Sequence, residues 1–424
     1  MRILVVGNGA REDALSWKLA QSRSCNALFA APGNAGTASR GVNWEISATD
    51  GKAILERVLA EGIDLVVLGP ESAIAAGVGD RLRDAGILVF GPNRSSGRLE
   101  SSKVYSKRFM QRHGVPTARA VVEHSLQGAN KALDHWPGGG VVVKADGLAA
   151  GKGVVVCDDV DEARAVVAEW YGKSKIPGGG SDVLLEERLE GREVSVFALA
   201  DGRAMLPLAA ACDYKRAGDG DTGPNTGGMG AYSPPHGFPD DMFDQVRERI
   251  LAPVLRGLLA EGEQYVGVLY CGLMWTNDGP SVIEFNARFG DPETQVLMPR
   301  VSGDFAGLLK SAADGAMDLS LASLSEQQCV GVVLATSNYP RSNTPLAGLN
   351  PDVALGDCVQ AFWGASSLED GTVKSGGGRV LTVSALGEDL ATARTRAYEA
   401  VRALAGRIGT NDLTYRTDIA KLGI

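Results

Sequence analysis

Long apolar runs are missing from this sequence. No stretch approaches the roughly 20 consecutive apolar residues that a membrane helix needs, and Ile3 to Val6 is too short for the apolar core of a secretion signal. Histidine is scarce: His113, His124, His135 and His236 are scattered without metal-ligand spacing. The six cysteines, Cys25, Cys157, Cys212, Cys271, Cys329 and Cys358, make neither a zinc-ribbon spacing nor a CxxC pair, so they read as reduced and mostly packed. The expected compartment is the cytoplasm. Dense Lys/Arg runs are also absent. With 42 basic against 51 acidic side chains and a net charge of −9, the chain lacks the basic stripe of a nucleic-acid binder. Neither nucleic acid nor membrane is expected as a partner, although a small phosphorylated substrate needs only a few local cations. Aromatic content is only 6%, whereas 55 glycines point to tight turns and close approach of backbone to ligands.

What is present reads as an ordinary globular chain. A length of 424 residues suggests about three domains, and 44% hydrophobic with 22% charged residues supports a sizeable core. The first hundred residues alternate strand patterns (2–7, 27–31, 63–69, 86–91) with helical ones (12–22, 51–61, 72–85), the mark of βαβ units on a parallel sheet. A helical segment from Leu99 to His113 opens a second region, in which PGGG at 137–140 and at 177–180 flanks a smaller unit. A third region, about 190–320, holds long strands, a Gly-rich loop and a helix at 240–262; a last α/β block starts with the strand at 329–336.

Five segments carry chemistry. VVGNGAREDAL (5–15) gives Gly7-x-Gly9, but Glu12 stands where a dinucleotide fingerprint needs a small residue, and the next strand ends without the ribose-binding acid. NAD is therefore excluded. An anion at the helix start, helped by Gly9 and Arg11, and a plain tight turn are equally good readings. VVVKADGLAAGKGVVV (141–156) sets Lys144, Gly147, Gly151 and Lys152 in a hairpin that departs from the Walker A spacing, and such a flap can close over phosphates. VLLEERLEGREVSV (183–196) is a strand with an acidic connector. It suits adenine and ribose recognition, but alone it is an unremarkable charged loop. DYKRAGDGDTGPNTGGMGAY (213–232) is expected to be a long loop with six glycines, costly to order unless it acts on a ligand. Asp213, Lys215 and Arg216 place charge at its entrance, suited to cradling a carboxylate or acyl phosphate. In SVIEFNARFGDPETQ (281–295), strand alternation puts Glu284, Asn286 and Arg288 on one face. The first two offer hard oxygens for Mg²⁺, and Arg288 can stabilise a transferring phosphoryl group.

These motifs, in this order, resemble the ATP-grasp superfamily. GNGARE, APGNAGT, ESSKVYSKRFMQRHGVPTA, VVVKADGLAAGKGVVV, DGDTGPNTGGMGAYSP and VIEFNARFGDPETQ are similar to blocks of the phosphoribosylamine–glycine ligases across nearly the whole chain. The resemblance implies an α/β ATP-grasp fold: an N-terminal Rossmann-like (pre-ATP-grasp) domain at 1–100, an ATP-grasp domain at 101–325 with a small mobile lid subdomain at about 120–190, and a C-terminal α/β domain at 326–424. It implies ATP with Mg²⁺ or Mn²⁺, glycine and 5-phosphoribosylamine as substrates, and a monomer or weak homodimer. Carried over residue by residue, Lys103, Lys144, Gly147, Gly151 and Lys152 would contact ATP phosphates, Glu186, Glu187 and Leu189 would frame adenine, and Glu193 would hold ribose. Glu284 and Asn286 would bind the metal, Gly272 standing where many ATP-grasp enzymes have a further metal carboxylate. Arg288, Lys215 and Asp213 would act in catalysis, and Gly9, Arg11, Asn225, Thr226, Gly227 and Gly228 would bind substrate. The chain departs from the family pattern at Ala10 (usually Gly), at Asp13 (usually His), at Trp363 within FWGAS (usually FHAGT) and at 339–348, which lacks the usual Tyr-x-Lys-Gly. A paralogous ligase acting on a different amine is the alternative reading, and a non-catalytic nucleotide-binding regulator a weaker one.

Overall fold

The structure is a computed structural model that describes residues 1–148, 153–172, 176–350, 355–405, 407–408 and 412–421. A five-stranded parallel sheet comes first, in the order Val42–Asn43, Ala27–Pro32, Arg2–Gly7, Leu65–Leu68, Val89–Phe90. Its central strand is apolar without alternation because both faces are covered: Leu4 and Val6 enter one core, Ile3 and Val5 another. The helical stretch expected at 72–85 is two helices, Glu71–Ala75 and Val78–Asp84. Gly77 parts them at φ 73°, a left-handed conformation that a continuous helix cannot hold. The stretch from Leu99 to His113 likewise divides. Arg98–Ser101 ends at Ser102, whose hydroxyl caps Lys103–His113 by accepting from Tyr105 N at 3.1 Å.

A small antiparallel sheet, Ala120–Glu123, Val183–Glu187, Val141–Ala145 and Val154–Cys157 in spatial order, packs against the helices Leu126–Asp134 and Val160–Gly172. It has its own core, including Leu133, Val141, Val143, Trp170 and Leu185, separate from the main cores. Gly151 and Lys152 lie outside the described residues.

The largest sheet is antiparallel and runs on from the third region into the last. Its order is Gly279–Asn286, Val266–Thr276, Arg192–Asp201, Met205–Asp213, Gly230–Ser233, Gln328–Thr336, Arg379–Gly387, Val359–Trp363. Gly230–Ser233 is the splice, pairing Met205–Asp213 on one side and Gln328–Thr336 on the other. The segment expected as a long loop contains a hairpin, Arg216–Gly218 with Thr222–Asn225. Gly220 and Asp221 take the left-handed conformation that closes so short a turn (φ 66° and 52°).

Candidate active site

The site lies where the small sheet, the strand Gly279–Asn286 and the loop after Asp213 meet. Alternation buries Val141, Val143 and Ala145 in the small core and turns Lys144 to the other face. Its ammonium reaches the large sheet at the carbonyl of Ile283 (2.9 Å) and pairs with Glu186 Oε2 at 2.8 Å. Glu186 Oε1 pairs with Lys107 Nζ at 3.0 Å, and that lysine also donates to Thr117 Oγ1 (2.6 Å) and Ala118 O (3.1 Å). All three side chains are buried. The Glu186 carboxylate, expected beside adenine, thus clamps two lysines, as a buried charge must be clamped. Lys103 heads its helix because Ser102 breaks the preceding one, and its Nζ donates to Gly147 O at 3.0 Å. Glu187 is half-buried and pairs with Arg119 Nε at 2.9 Å, which lowers its pKa. Leu189 follows it, half-buried, in the connector.

Glu284, Asn286 and Arg288 share one face, as alternation requires, while Phe285 and Ala287 are buried behind them. Gly272 sits directly opposite Glu284 in register, and a Cβ there would lie 3.3 Å from Glu284 Cγ. Burial pushes the Glu284 carboxyl up, but Lys215, Lys144, Lys103 and Arg288 outweigh it and hold it below its ordinary value. An ionised carboxylate beside the amide oxygen of Asn286 fits a hard divalent cation that takes its remaining oxygens from phosphates and water. Arg288 pairs with Glu100 Oε1 (3.0 Å) and Glu71 Oε2 (3.3 Å), and its Nη2 donates to Asn286 Oδ1 (3.2 Å). Glu100 also accepts from Ala287 N at 2.7 Å, so the guanidinium is fixed from behind.

Residues expected in separate roles meet at the loop entrance. Lys215 Nζ lies 2.8 Å from Glu193 Oε2 and 4.0 Å from Asp213 Oδ1. Desolvation opposes the charge of Lys215, but Asp213, Glu193 and Glu284 more than compensate and raise its pKa. Asp213 is raised by burial, with Lys215 pulling the other way. Behind them is a residue that motif reading passed over. Glu293, inside the quoted GDPETQ block, is buried and pushed up to about 7, first by desolvation and then by Asp213. Its sequence signal is only that block, since a lone Glu after Pro292 looks like any helix start.

Thr226, Gly227 and Gly228 are held tightly. Thr226 N donates to Lys215 O (2.7 Å), Gly227 N to the Tyr339 hydroxyl (2.9 Å) and Gly228 N to Thr226 Oγ1 (2.9 Å). Arg379 Nη1 donates to Gly227 O at 2.7 Å and pairs with Asp291 at 3.0 Å. Gly228 (φ 111°) packs so closely that a Cβ would lie 2.3 Å from Pro292 Cδ. Asn225 is exposed at the end of the hairpin opposite Arg216.

At the first Gly-rich turn, Gly9 N donates to Glu12 Oε2 (2.6 Å), and Glu12 Oε1 accepts from Arg11 Nε (2.6 Å). Arg11 is buried, with Nη1 on Phe289 O at 3.2 Å, so its guanidinium joins the first helix to the segment that follows the strand Gly279–Asn286. Asp13 is directed at Arg40 and the last part of the chain. It is fully buried, pairs with Arg40, and accepts from Trp363 N at 2.8 Å. Asn34 Nδ2 donates to Trp363 O at 2.8 Å. Asp13 and Asn34 thus both bind the backbone of Trp363. Val359–Trp363 is the edge strand of the large sheet, and Asp13 and Asn34 satisfy edge groups that would otherwise be open.

Models of the phosphoribosylglycinamide synthetase N domain, ATP-grasp (A) domain and C domain match residues 1–100, 101–294 and 329–422. The chain is 42% identical to the phosphoribosylamine–glycine ligase of Neisseria meningitidis, covering 100% of both, and 46% identical to that of Leifsonia xyli, covering 99% of both. Among solved structures, the phosphoribosylamine–glycine ligase of Thermotoga maritima matches with a TM-score of 0.85 at 33% identity, over 99% of this chain and 100% of that one. The biotin carboxylase domain of Hydrogenobacter thermophilus 2-oxoglutarate carboxylase matches at 0.72 with 14% identity, over 97% and 91%, a likeness of fold.

Proposed function

The chain belongs to the phosphoribosylglycinamide synthetase family, and on that premise we propose that it joins glycine to 5-phosphoribosylamine at the expense of ATP, in purine biosynthesis. The observation that carries this reading is that Lys144 reaches Ile283 O, beside Glu284, while Lys103, Lys144, Lys215 and Arg288 together hold the Glu284 carboxyl below its ordinary pKa. Four cations around one hard carboxylate suit a triphosphate with its metal, where catalysis is mostly positioning and charge neutralisation.

Lys103 and Lys144 hold the phosphates, and Gly147, Gly151 and Lys152 are assigned to the same phosphates. Glu187 to Leu189 border the adenine, Glu186 keeps Lys144 aimed, and Glu193 takes the ribose hydroxyls by sharing itself with Lys215. Glu284 and Asn286 hold Mg²⁺ or Mn²⁺, which screens the phosphate charge when bound. A glycine carboxylate oxygen attacks the γ-phosphorus, and the β–γ bridging oxygen leaves with ADP. Arg288 and Lys215 stabilise the transferring group, while Asp213 and Glu293 receive the glycine ammonium. The amine nitrogen then attacks the acyl carbon, phosphate leaves and the nitrogen gives up a proton, forming the amide. Asn225 to Gly228 bound this end of the site, and the helix start at Gly9 and Arg11 lies on the amine side. The enzyme works in the cytoplasm, as a monomer or weak homodimer.

The test supplies ATP, glycine and freshly generated phosphoribosylamine and looks for glycinamide ribonucleotide by mass. ADP formed only with some other amine would establish the paralogous ligase instead. No ADP with any amine would leave a nucleotide-binding regulator.

A further inference from the structure

The hairpin Arg216–Asn225 has little to hold it in place. Its strands are three and four residues long, and Thr222 to Asn225 are exposed. Nevertheless it joins Lys215 to Thr226, and both of its ends lie in the site. Its order comes from the far end of the chain. Arg416 is among the largest fully buried side chains, 1% exposed. Its fork grips Asp418 through Nε (2.7 Å) and Nη2 (2.6 Å), and Nη1 reaches across to Asp221 Oδ1 (2.7 Å) and Arg216 O (3.1 Å). The guanidinium lies 4.9 Å from the ring centroid of Tyr214, the residue just before Lys215.

The contacts continue on both sides. Asp418 Oδ2 accepts from Gly220 N at 2.8 Å, and Asp219 accepts from Thr417 N (2.8 Å) and Thr417 Oγ1 (2.5 Å). Ala420 N donates to the Tyr214 hydroxyl at 2.9 Å. Behind the segment, the helix Leu390–Ala405 supplies Arg394, which donates to Thr417 O (2.7 Å) and Ile419 O (3.0 Å). Tyr398 of the same helix donates to Arg416 O (2.8 Å) and accepts from Ile419 N (3.0 Å). A rigid helix thus holds the C-terminal segment, and the segment holds the hairpin. Asp221 is one of three described non-glycine residues with positive φ, a backbone state that persists only where its surroundings enforce it. Arg416 supplies that enforcement.

We propose that Arg416, Thr417 and Asp418 are positioning residues for the ligase reaction: they fix the hairpin so that Lys215 and Thr226 to Gly228 stand correctly for glycine activation. The inference rests on the reading of the site as a glycine ligase. The phosphate-holding lysines do not depend on it, because Lys103, Lys107, Lys144 and Glu186 are held by elements that the C-terminal segment does not touch; Glu193, through Lys215, is the one link between the two ends.

Two variants of the full chain test this. Asp219→Ala removes both acceptors of Thr417 from an exposed side chain and leaves every core untouched. Arg416→Lys keeps the charge and loses the fork, which a lysine cannot reproduce. In each, the glycine KM should rise about tenfold, since a small misplacement of positioning groups is costly, while ATP affinity stays within about twofold. Effects that act through one hairpin should not add in the double variant. Tryptic cleavage after Arg216 gives a readout independent of activity and should be faster in both variants. Unchanged cleavage and unchanged glycine KM in Asp219→Ala would overturn the proposal, even if Arg416→Lys does not fold. Loss of ATP affinity in parallel with glycine use would also overturn it, by showing a general structural role. If the unaltered chain makes no glycinamide ribonucleotide but cleavage after Arg216 still accelerates, the ligase reading fails and the hairpin anchoring stands.

Discussion

Asp13 gives the most exacting test of how the first and last parts of the chain are joined. Its carboxylate is fully buried against Arg40 and the Trp363 N–H. Desolvation is the largest influence on it, and the attraction of Arg40 and the Trp363 hydrogen bond only partly offset it, so its pKa rises from 3.8 to about 6. The folded chain therefore binds this proton more tightly than the unfolded chain. Stability is full below about pH 4 and is lost as the pH climbs through about 6, by about 3 kcal/mol in total. Replacing Asp13 with Asn removes the titration, while the cost of leaving Arg40 without its anion is nearly independent of pH. Between pH 4.5 and 7.5 the unaltered chain should thus lose about 2 kcal/mol relative to Asp13→Asn. The measurement is a urea titration of both proteins at several pH values, followed by tryptophan fluorescence. Trp17, edge-on to Phe362 at 5.8 Å, and Trp363 both report on this contact. Parallel stability curves would show that Arg40 fully compensates burial. A gap that moves in the opposite direction would show that the ion pair dominates, and either result refutes the reasoning.

Other expectations are simpler to state. Gly36→Ala should destabilise the chain by about 1–3 kcal/mol, since its Cβ would sit 1.9 Å from Asp13 Oδ2; thermal unfolding reads this, and an unchanged melting temperature would contradict it. Glu284→Gln should weaken divalent-cation affinity and remove most ligase activity, and near-normal activity at limiting Mg²⁺ would place the ligand elsewhere. Glu293, pushed up to about 7 by burial, is ionised only above that pH. The glycine KM should fall as pH rises through 7, and Glu293→Gln should flatten that profile. The small sheet, with a core of its own, should gain amide protection when ATP is added; equal hydrogen exchange at residues 144–148 with and without ATP would argue against a mobile lid.

Local pattern was enough for much of this protein. The strand and helix patterns that alternate through the first hundred residues announced a parallel sheet, and period-two alternation put Glu284, Asn286 and Arg288 on one side of their strand. Both follow from patterns only a few residues long. Lys144 and the glycines of 213–232 were visible for a similar reason, because backbone turns and phosphate contacts need particular residue types close together. Partner choice was not local. That Glu186 belongs to two lysines, that Lys215 pairs with Glu193, that Asp13 meets Trp363 across 350 residues and that Arg416 fixes Asp221 across 195 were decided by tertiary structure. A buried charge must find its counter-charge wherever folding brings one. Sequence spacing carries no record of that distance, so the electrostatics of the site emerge only when the sheets are assembled.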